Sequence, residues 1–319
     1  MSKPRFDVTI AGELNLDLIL YGLPAELPPE RELLADNMAL TLGSSSAIVA
    51  HNLASLGCRV GFQSLIGDDP LGRIALERLA ASGVDVSRVR ESNSVGTGLS
   101  VILQRQHWRN ILTYSGTIAR LSFEDLDLGY LSDSRHFHLS SYFLQVGLRR
   151  EVPELFRRLK AAGLTISIDT NDDPDGGFEG DLRQLLRHVE IFLPNRREAC
   201  KIAGTDNLDA ALKKLSEIVP LVVVKLGEEG AVAIRKNERI ESAALRGEIV
   251  DPVGAGDSFD AGFLHAYLRG QELEECLKAG NAAGALCTTR PGGTEAFRDR
   301  EHRERFLRQH VPQLHPPQS

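Results

Sequence analysis

Methionine, tryptophan and cysteine are scarce in this 319-residue chain, at two, one and four copies. Cys58, Cys200, Cys276 and Cys287 lie far apart and form no C-x-x-C pair. Neither a disulfide framework nor a zinc site is expected from them; small buried thiols in a reducing compartment fit better. Long apolar runs are missing as well. Met1 to Arg5 leads directly into the strand-like Phe6-Asp7-Val8-Thr9-Ile10 without the apolar core of a signal peptide. No later stretch is long enough to span a bilayer, so the expectation is a cytoplasmic protein. Positive charge is not in excess either. The formal net charge of -7 recommends neither a nucleic acid nor an anionic membrane as partner.

What is present is the composition of a soluble globular protein, 42% hydrophobic and 25% charged. Short apolar runs at 8–11, 60–65, 137–140, 165–169, 190–193, 221–225 and 231–235 read as buried strands. Amphipathic stretches at 46–56, 72–82, 149–162, 181–188, 208–217, 257–269 and 273–288 read as helices between or after them. Repeated alternation of the two predicts a three-layer α/β domain over residues 1–319, with a mostly parallel central sheet. Ligands in such sheets bind beyond the carboxyl ends of the strands. Segments near 13–42 and 94–116 break the alternation and are expected to form a small β-rich lid. The proline-bearing tail from Val311 to Ser319 reads as frayed.

One motif carries chemistry by itself. Gly254-Ala255-Gly256-Asp257 stands immediately before a helical pattern. Its small residues let backbone approach a ligand, and the N–H groups at a helix start suit developing phosphoryl charge. A carboxylate there is an odd way to bind an anion unless it accepts a proton from an attacking hydroxyl. Asp257 could equally be a simple helix cap, and local physics leaves the two readings even.

The wider stretch Asp251-x-x-Gly254-Ala255-Gly256-Asp257-Ser258-Phe259 resembles the C-terminal signature of ribokinase-like (PfkB-type) carbohydrate kinases; it is neither a Walker A loop nor G-x-G-x-x-G. Other segments resemble that family in the expected order. They are Gly43-Ser44 through Asn52 to Gly57, Gly67-Asp68-Asp69-Pro70-Leu71-Gly72, Asn195-Arg196-Arg197-Glu198, Val224 to Ala231, and Asn281. The resemblance implies a ribokinase-like fold and ATP-dependent phosphorylation of a sugar-like hydroxyl, with Asp257 as base and the amides of Gly254, Ala255, Gly256 and Asp257 as anion hole. It implies ATP contacts at Asn195, Glu198, Lys225, Gly227, Gly230 and Asn281, with Mg2+ held through water near Glu198. It also implies K+ near Asp251 and Val253, and a homodimer paired through the lid. Asp69 reads as a helix cap.

At the acceptor end the resemblance points to Asn15, Asp17, Gly43 and Ser44, and alternation puts Asn15 and Asp17 on one face of an extended segment. Departures gather here. Ser44 replaces a family glycine, Ile48 an asparagine, and Asp173 an arginine, so an acidic or phosphorylated acceptor lacks support at 173. Arg105, His107, Trp108 and Arg109 fit either a closing lid or a solvated hairpin tip. His138 fits the cleft or, better, a hydrogen-bonded core. Two other functions remain open on sequence: a nucleoside kinase, for which Ile48 and Trp108 would suit a planar base, and a non-catalytic sensor.

Overall fold

The computed structural model describes residues 3–105, 108–178, 182–236 and 238–312. His107, residues 313–319 of the tail and the Trp108 side chain lie outside that description. Strands β1 (Phe6–Ala11), β4 (Val60–Gly67), β5 (Asp85–Ser92), β8 (Ser134–Leu139), β9 (Thr165–Ile168), β10 (Ile191–Phe192), β11 (Leu221–Lys225), β12 (Ala231–Arg235) and β13 (Glu238–Ser242) form one sheet, ordered β13-β12-β11-β10-β9-β8-β1-β4-β5. It is parallel from β11 to β5, and β12 and β13 add antiparallel strands at one edge.

A second sheet is built from β2 (Leu16–Tyr21), β3 (Asn37–Leu42), β6 (Leu99–Arg105) and β7 (Trp108–Tyr114), ordered β3-β2-β6-β7. Both segments expected to leave the main sheet supply its strands.

Helices cover both faces of the large sheet. On one side lie α1 (Ser45–Ser55), α2 (Pro70–Ala80), α9 (Ala255–Leu268), α10 (Leu273–Cys287), α11 (Glu295–Arg298) and α12 (Arg300–His310). On the other lie α3 (Leu128–Ser132), α4 (Val146–Arg149), α5 (Val152–Ala161), α6 (Leu182–Leu185), α7 (Arg196–Ala203) and α8 (Leu208–Ser216). Strand alternation sorts the residues: Val8 and Ile10 enter the first core, Ala11, Phe137 and Leu139 the second. The spacing at Val152, Leu155, Phe156 and Leu159 buries one stripe of α5 as expected.

Three differences from the sequence expectation have local causes. Strand β5 is an edge strand with the exposed, charged pattern Asp-Val-Ser-Arg-Val-Arg-Glu-Ser, so no apolar run announces it. The helix expected at 181–188 is a single α-helical turn followed by the 3-10 turn Leu186–His188. Helix α12 is too polar to show an apolar run. Asp69 does cap α2: its carboxylate accepts from Gly72 N (2.8 Å), and it also accepts from Thr97 N (2.7 Å).

Candidate active site

Chain order changes direction between β1 and β8, which lie side by side while β4 pairs with the other edge of β1. Ligand crevices form at such switch points, outside the carboxyl ends of the strands. The loops after β1, β8, β9 and β11 open there, and the N-terminus of α9 joins them.

The turn into α9 has a specific build. Gly254 occupies the N-cap position with φ 75°, and a Cβ there would come within 2.4 Å of Gly293 Cα. Only glycine meets both demands. Ser258 N–H makes the first bond into the turn, to Gly254 O (2.9 Å), so the N–H groups of Gly256 and Asp257 belong to the unpaired first turn. Ala255 N–H is partly spent on Pro252 O (3.3 Å).

Asp257 is therefore the third residue of the helix, not its cap, and the simple cap reading fails. Its side chain is buried and meets Asn171 Nδ2 at 3.4 Å and the Ser45 hydroxyl. Burial, then the Asp169 carboxylate, raises its pKa, while Lys225, Ser45 and Asn171 oppose the rise. Asn171 is poised by Ser141 N–H, which donates to its Oδ1 (2.8 Å), and its φ of 52° is one that asparagine tolerates.

Behind this turn lies a buried ionic cluster. Lys225, at the end of β11, donates from Nζ to Asp169 Oδ2 (2.6 Å) and to both oxygens of Asp260 (3.1 Å each). Burial alone would lower the lysine, but Asp169, Asp260 and Glu198 outweigh it and hold it protonated. Asp260 follows Asp257 by three residues and so shares its face of α9. The ammonium also lies 3.7 Å from where a Gly256 Cβ would stand.

The residues expected at the nucleotide end fall into two groups. Asn195 bridges to Lys225, and Asn195 with Glu198 forms a reciprocal capping box on α7: Glu198 N donates to Asn195 Oδ1 (3.0 Å), and Asn195 N to Glu198 Oε2 (2.9 Å). Burial, then Asp169, pushes the Glu198 carboxyl up to about 7. In the second group, Asn281 Nδ2 donates to Ser242 O (3.0 Å) and Ala243 O (3.1 Å). Gly230 lies against the same backbone, where a Cβ would be 2.1 Å from Ser242 O. Gly227 opens that turn with φ 62°. Among the described residues no three acidic, histidine or cysteine side chains form a metal-binding group.

At the other end, Asn15 and Asp17 converge on Gly43. A Cβ at 43 would sit 2.2 Å from Asp17 Oδ1 and 2.9 Å from Asn15 Nδ2. Ser44 has a positive φ of 63°, which costs a serine about 1–3 kcal/mol; its hydroxyl bonds to Glu13 O (2.9 Å). Glu13, which carried no sequence signal, caps α1 from a distance, accepting from Ser46 N (3.1 Å) and Ser46 Oγ (2.7 Å). Ile48 is buried and packs on Gly254 and Gly293, beside the turn into α9. Asp173 is consumed by its own loop, accepting from Asp175 N (3.1 Å) and Phe178 N (2.7 Å). His138 is a core histidine, bonded to Ser167 Oγ (2.7 Å) and Ser140 Oγ (2.8 Å).

Asp17 is pushed up to about 7, first by burial, then by Asp257 and Asp251, against the Ser100 hydroxyl. The folded state thus holds this proton more tightly than the unfolded chain, whose value is near 3.8. Its stabilising contribution is full below that value and is lost as pH rises through about 7. The Tm of Asp17→Asn minus that of the unaltered protein should therefore grow on going from about pH 5 to about pH 8. A difference independent of pH, in thermal unfolding of the ligand-free proteins, would contradict the carboxyl's environment.

The chain has relatives among known proteins. A family model described as pfkB family carbohydrate kinase matches residues 5–300. An uncharacterized sugar kinase of Archaeoglobus fulgidus is 29% identical over 246 residues, covering 77% of this chain and 97% of the relative. A cytidine kinase of Thermococcus kodakarensis is 29% identical over 280 residues, 86% of this chain and 93% of the relative. Among solved structures, an Escherichia coli protein assigned to the ribokinase II type, in complex with ATP and Mg2+, superposes with a TM-score of 0.83 at 25% identity, covering 96% and 100% of the two chains.

Proposed function

The chain belongs to the pfkB family of carbohydrate kinases, and on that premise we propose that it transfers the γ-phosphoryl group of ATP to a hydroxyl of a small uncharged sugar, with Asp257 as general base. The observation that carries this reading is Asp257 itself. It is a buried carboxylate in the first turn of α9, free of any capping duty, beside the N–H donors that the turn leaves unpaired.

In this reading the acceptor hydroxyl lies against Asp257 and hands over its proton as its oxygen attacks the γ-phosphorus. The new O–P bond forms as the bond to the ADP oxygen breaks. N–H groups of Gly256 and Asp257, with the helix dipole behind them, stabilise the charge on the transferring group. Packing within the protein leaves room for a Cβ at Gly256, which supports a ligand-facing reason for that glycine. Asn195, Glu198, Gly227, Gly230 and Asn281 would hold the nucleotide. Lys225 belongs behind them, its ammonium already committed to two carboxylates.

The donor set fits Mg2+ only as an ion carried on the phosphates, with Glu198 reaching it through water. Bound there, it would neutralise charge on the β- and γ-phosphoryl oxygens. K+ would be held by the carbonyls of Asp251 and Val253; the latter takes only a weak thiol bond from Cys287 (3.3 Å). ATP supply and four free cysteines support a cytoplasmic setting; among the described residues no helix is long and apolar enough to cross a membrane.

A nucleoside acceptor is the second reading, supported by the likeness to the Thermococcus cytidine kinase. Comparing kcat/KM over pentoses, hexoses, sugar acids and nucleosides separates the readings. Neutral sugars should lead; a preference for cytidine or for a sugar acid would overturn the acceptor assignment.

The small sheet also supports a homodimer. Its face away from Val253 carries Leu18, Leu20, Met38, Val101, Leu103 and Leu112, of which Met38 and Leu112 are more than half exposed. An apolar face of that kind calls for a partner, and a second copy supplies a matching one. Light scattering should give a dimer that Leu112→Asp converts to monomer. A monomeric unaltered protein would contradict this.

A further inference from the structure

We propose that Tyr21 is a positioning residue that couples the acceptor end of the site to the phosphoryl-transfer turn through its hydrogen bond to Asp251; this rests on the kinase reading above. Tyr21 Oη donates to Asp251 Oδ2 at 2.7 Å, across 230 residues of sequence. The same carboxylate is buried and accepts from Gly292 N (2.9 Å) and Val253 N (3.0 Å). Asp251 thus cross-braces the two loops on either side of the α9 turn, because Gly254 rests on Gly293. One of its three bonds comes from the small sheet.

The geometry of β2 gives that bond its meaning. Side chains at 17, 19 and 21 point to one face of the strand. Asp17 stands at the acceptor end beside Gly43. Ile19 packs with Ile102 on Val253, and Tyr21 borders the same apolar cluster. One strand face therefore carries an acceptor contact, an apolar pivot on the loop before the turn, and a hydrogen bond to the carboxylate that braces it. Displacement of β2 as an acceptor engages Asp17 is transmitted to residues 251–254 without an intervening flexible link. Strand β3 adds a second support, since Thr41 lies against Gly292, where a Cβ would be 2.5 Å from Thr41 Cγ2.

Tyr21→Phe removes the hydroxyl and keeps the ring on its apolar neighbours. Expected is a kcat lower by roughly tenfold with KM for ATP little changed, the loss of one hydrogen bond to a charged acceptor. The share of ATP hydrolysed instead of transferred should rise, because the turn no longer follows the acceptor. Asp251→Asn and the double variant close a cycle in which the two changes share one bond, so their effects on kcat should be less than additive. Hydrogen exchange gives a readout independent of turnover: the amides of Val253 and Gly292, which share Asp251 with Tyr21, should exchange faster in Tyr21→Phe. Unchanged kcat and coupling ratio, additive effects, or unchanged exchange at those two amides would each overturn the proposal. Faster exchange in Tyr21→Phe alongside an unaltered protein that phosphorylates no acceptor would count against the kinase reading and not against the coupling.

Discussion

Asp257→Asn should lower kcat by about three orders of magnitude while leaving ATP binding close to that of the unaltered protein. Asparagine has nearly the same shape and can still accept from Asn171 or Ser45, but it cannot take the acceptor's proton. The helix turn does not depend on the side chain, because the N-cap position belongs to Gly254 and the first bond into the turn is made by Ser258. Loss of rate should therefore come without loss of fold. Calorimetric titration with ATP and Mg2+, together with steady-state rates, checks both halves. A variant that keeps a tenth or more of the rate, about 1.4 kcal/mol of barrier, would remove Asp257 from the chemistry.

Lys225→Met should move the acidic limb of the kcat/KM profile to higher pH. To act as a general base Asp257 must be ionised, and its pKa is already raised by burial and by Asp169. Lys225 opposes that rise, so its removal raises the base further and activity falls first on the acid side. Asp169→Asn should do the reverse, since it deletes a carboxylate that raises Asp257. Asp260→Asn should act in the same direction, because Asp260 and Asp257 repel each other. Opposite displacements from variants of one cluster cannot come from a general loosening of the core. Each variant leaves a buried group without its partner and should also cost stability of roughly 3–5 kcal/mol for the lysine. The limb positions, measured at a temperature where the variants remain folded, are the deciding quantity. Limbs that all coincide would show that the cluster is structural only.

The α/β alternation could be read because buried parallel strands are rich in apolar residues, most plainly in β11 with Leu221-Val222-Val223-Val224. What escaped reading includes edge structure, such as β5 with its arginines facing solvent, and polar surface helix, such as α12. The site divides along similar lines. Glycines at 43 and 254 carry recognisable signals because backbone conformation and close approach demand them. The Asp169–Lys225–Asp260 cluster does not, since its members come from β11, the loop after β9 and α9, and a pairing across the fold leaves no spacing in the chain. Lys225 was accordingly expected to touch ATP, whereas its ammonium is engaged with two carboxylates.

The reading of Asp257 has changed most between chain and fold. On local physics a cap and a base were equal alternatives, and the position of Gly254 removes the first. The most direct test is to follow ATP, Mg2+ and the preferred sugar with the purified protein by phosphorus NMR. A phosphomonoester on the sugar and ADP should form one for one, both absent with Asp257→Asn. Inorganic phosphate released at the same rate with or without sugar, or transfer that survives in Asp257→Asn, would contradict this.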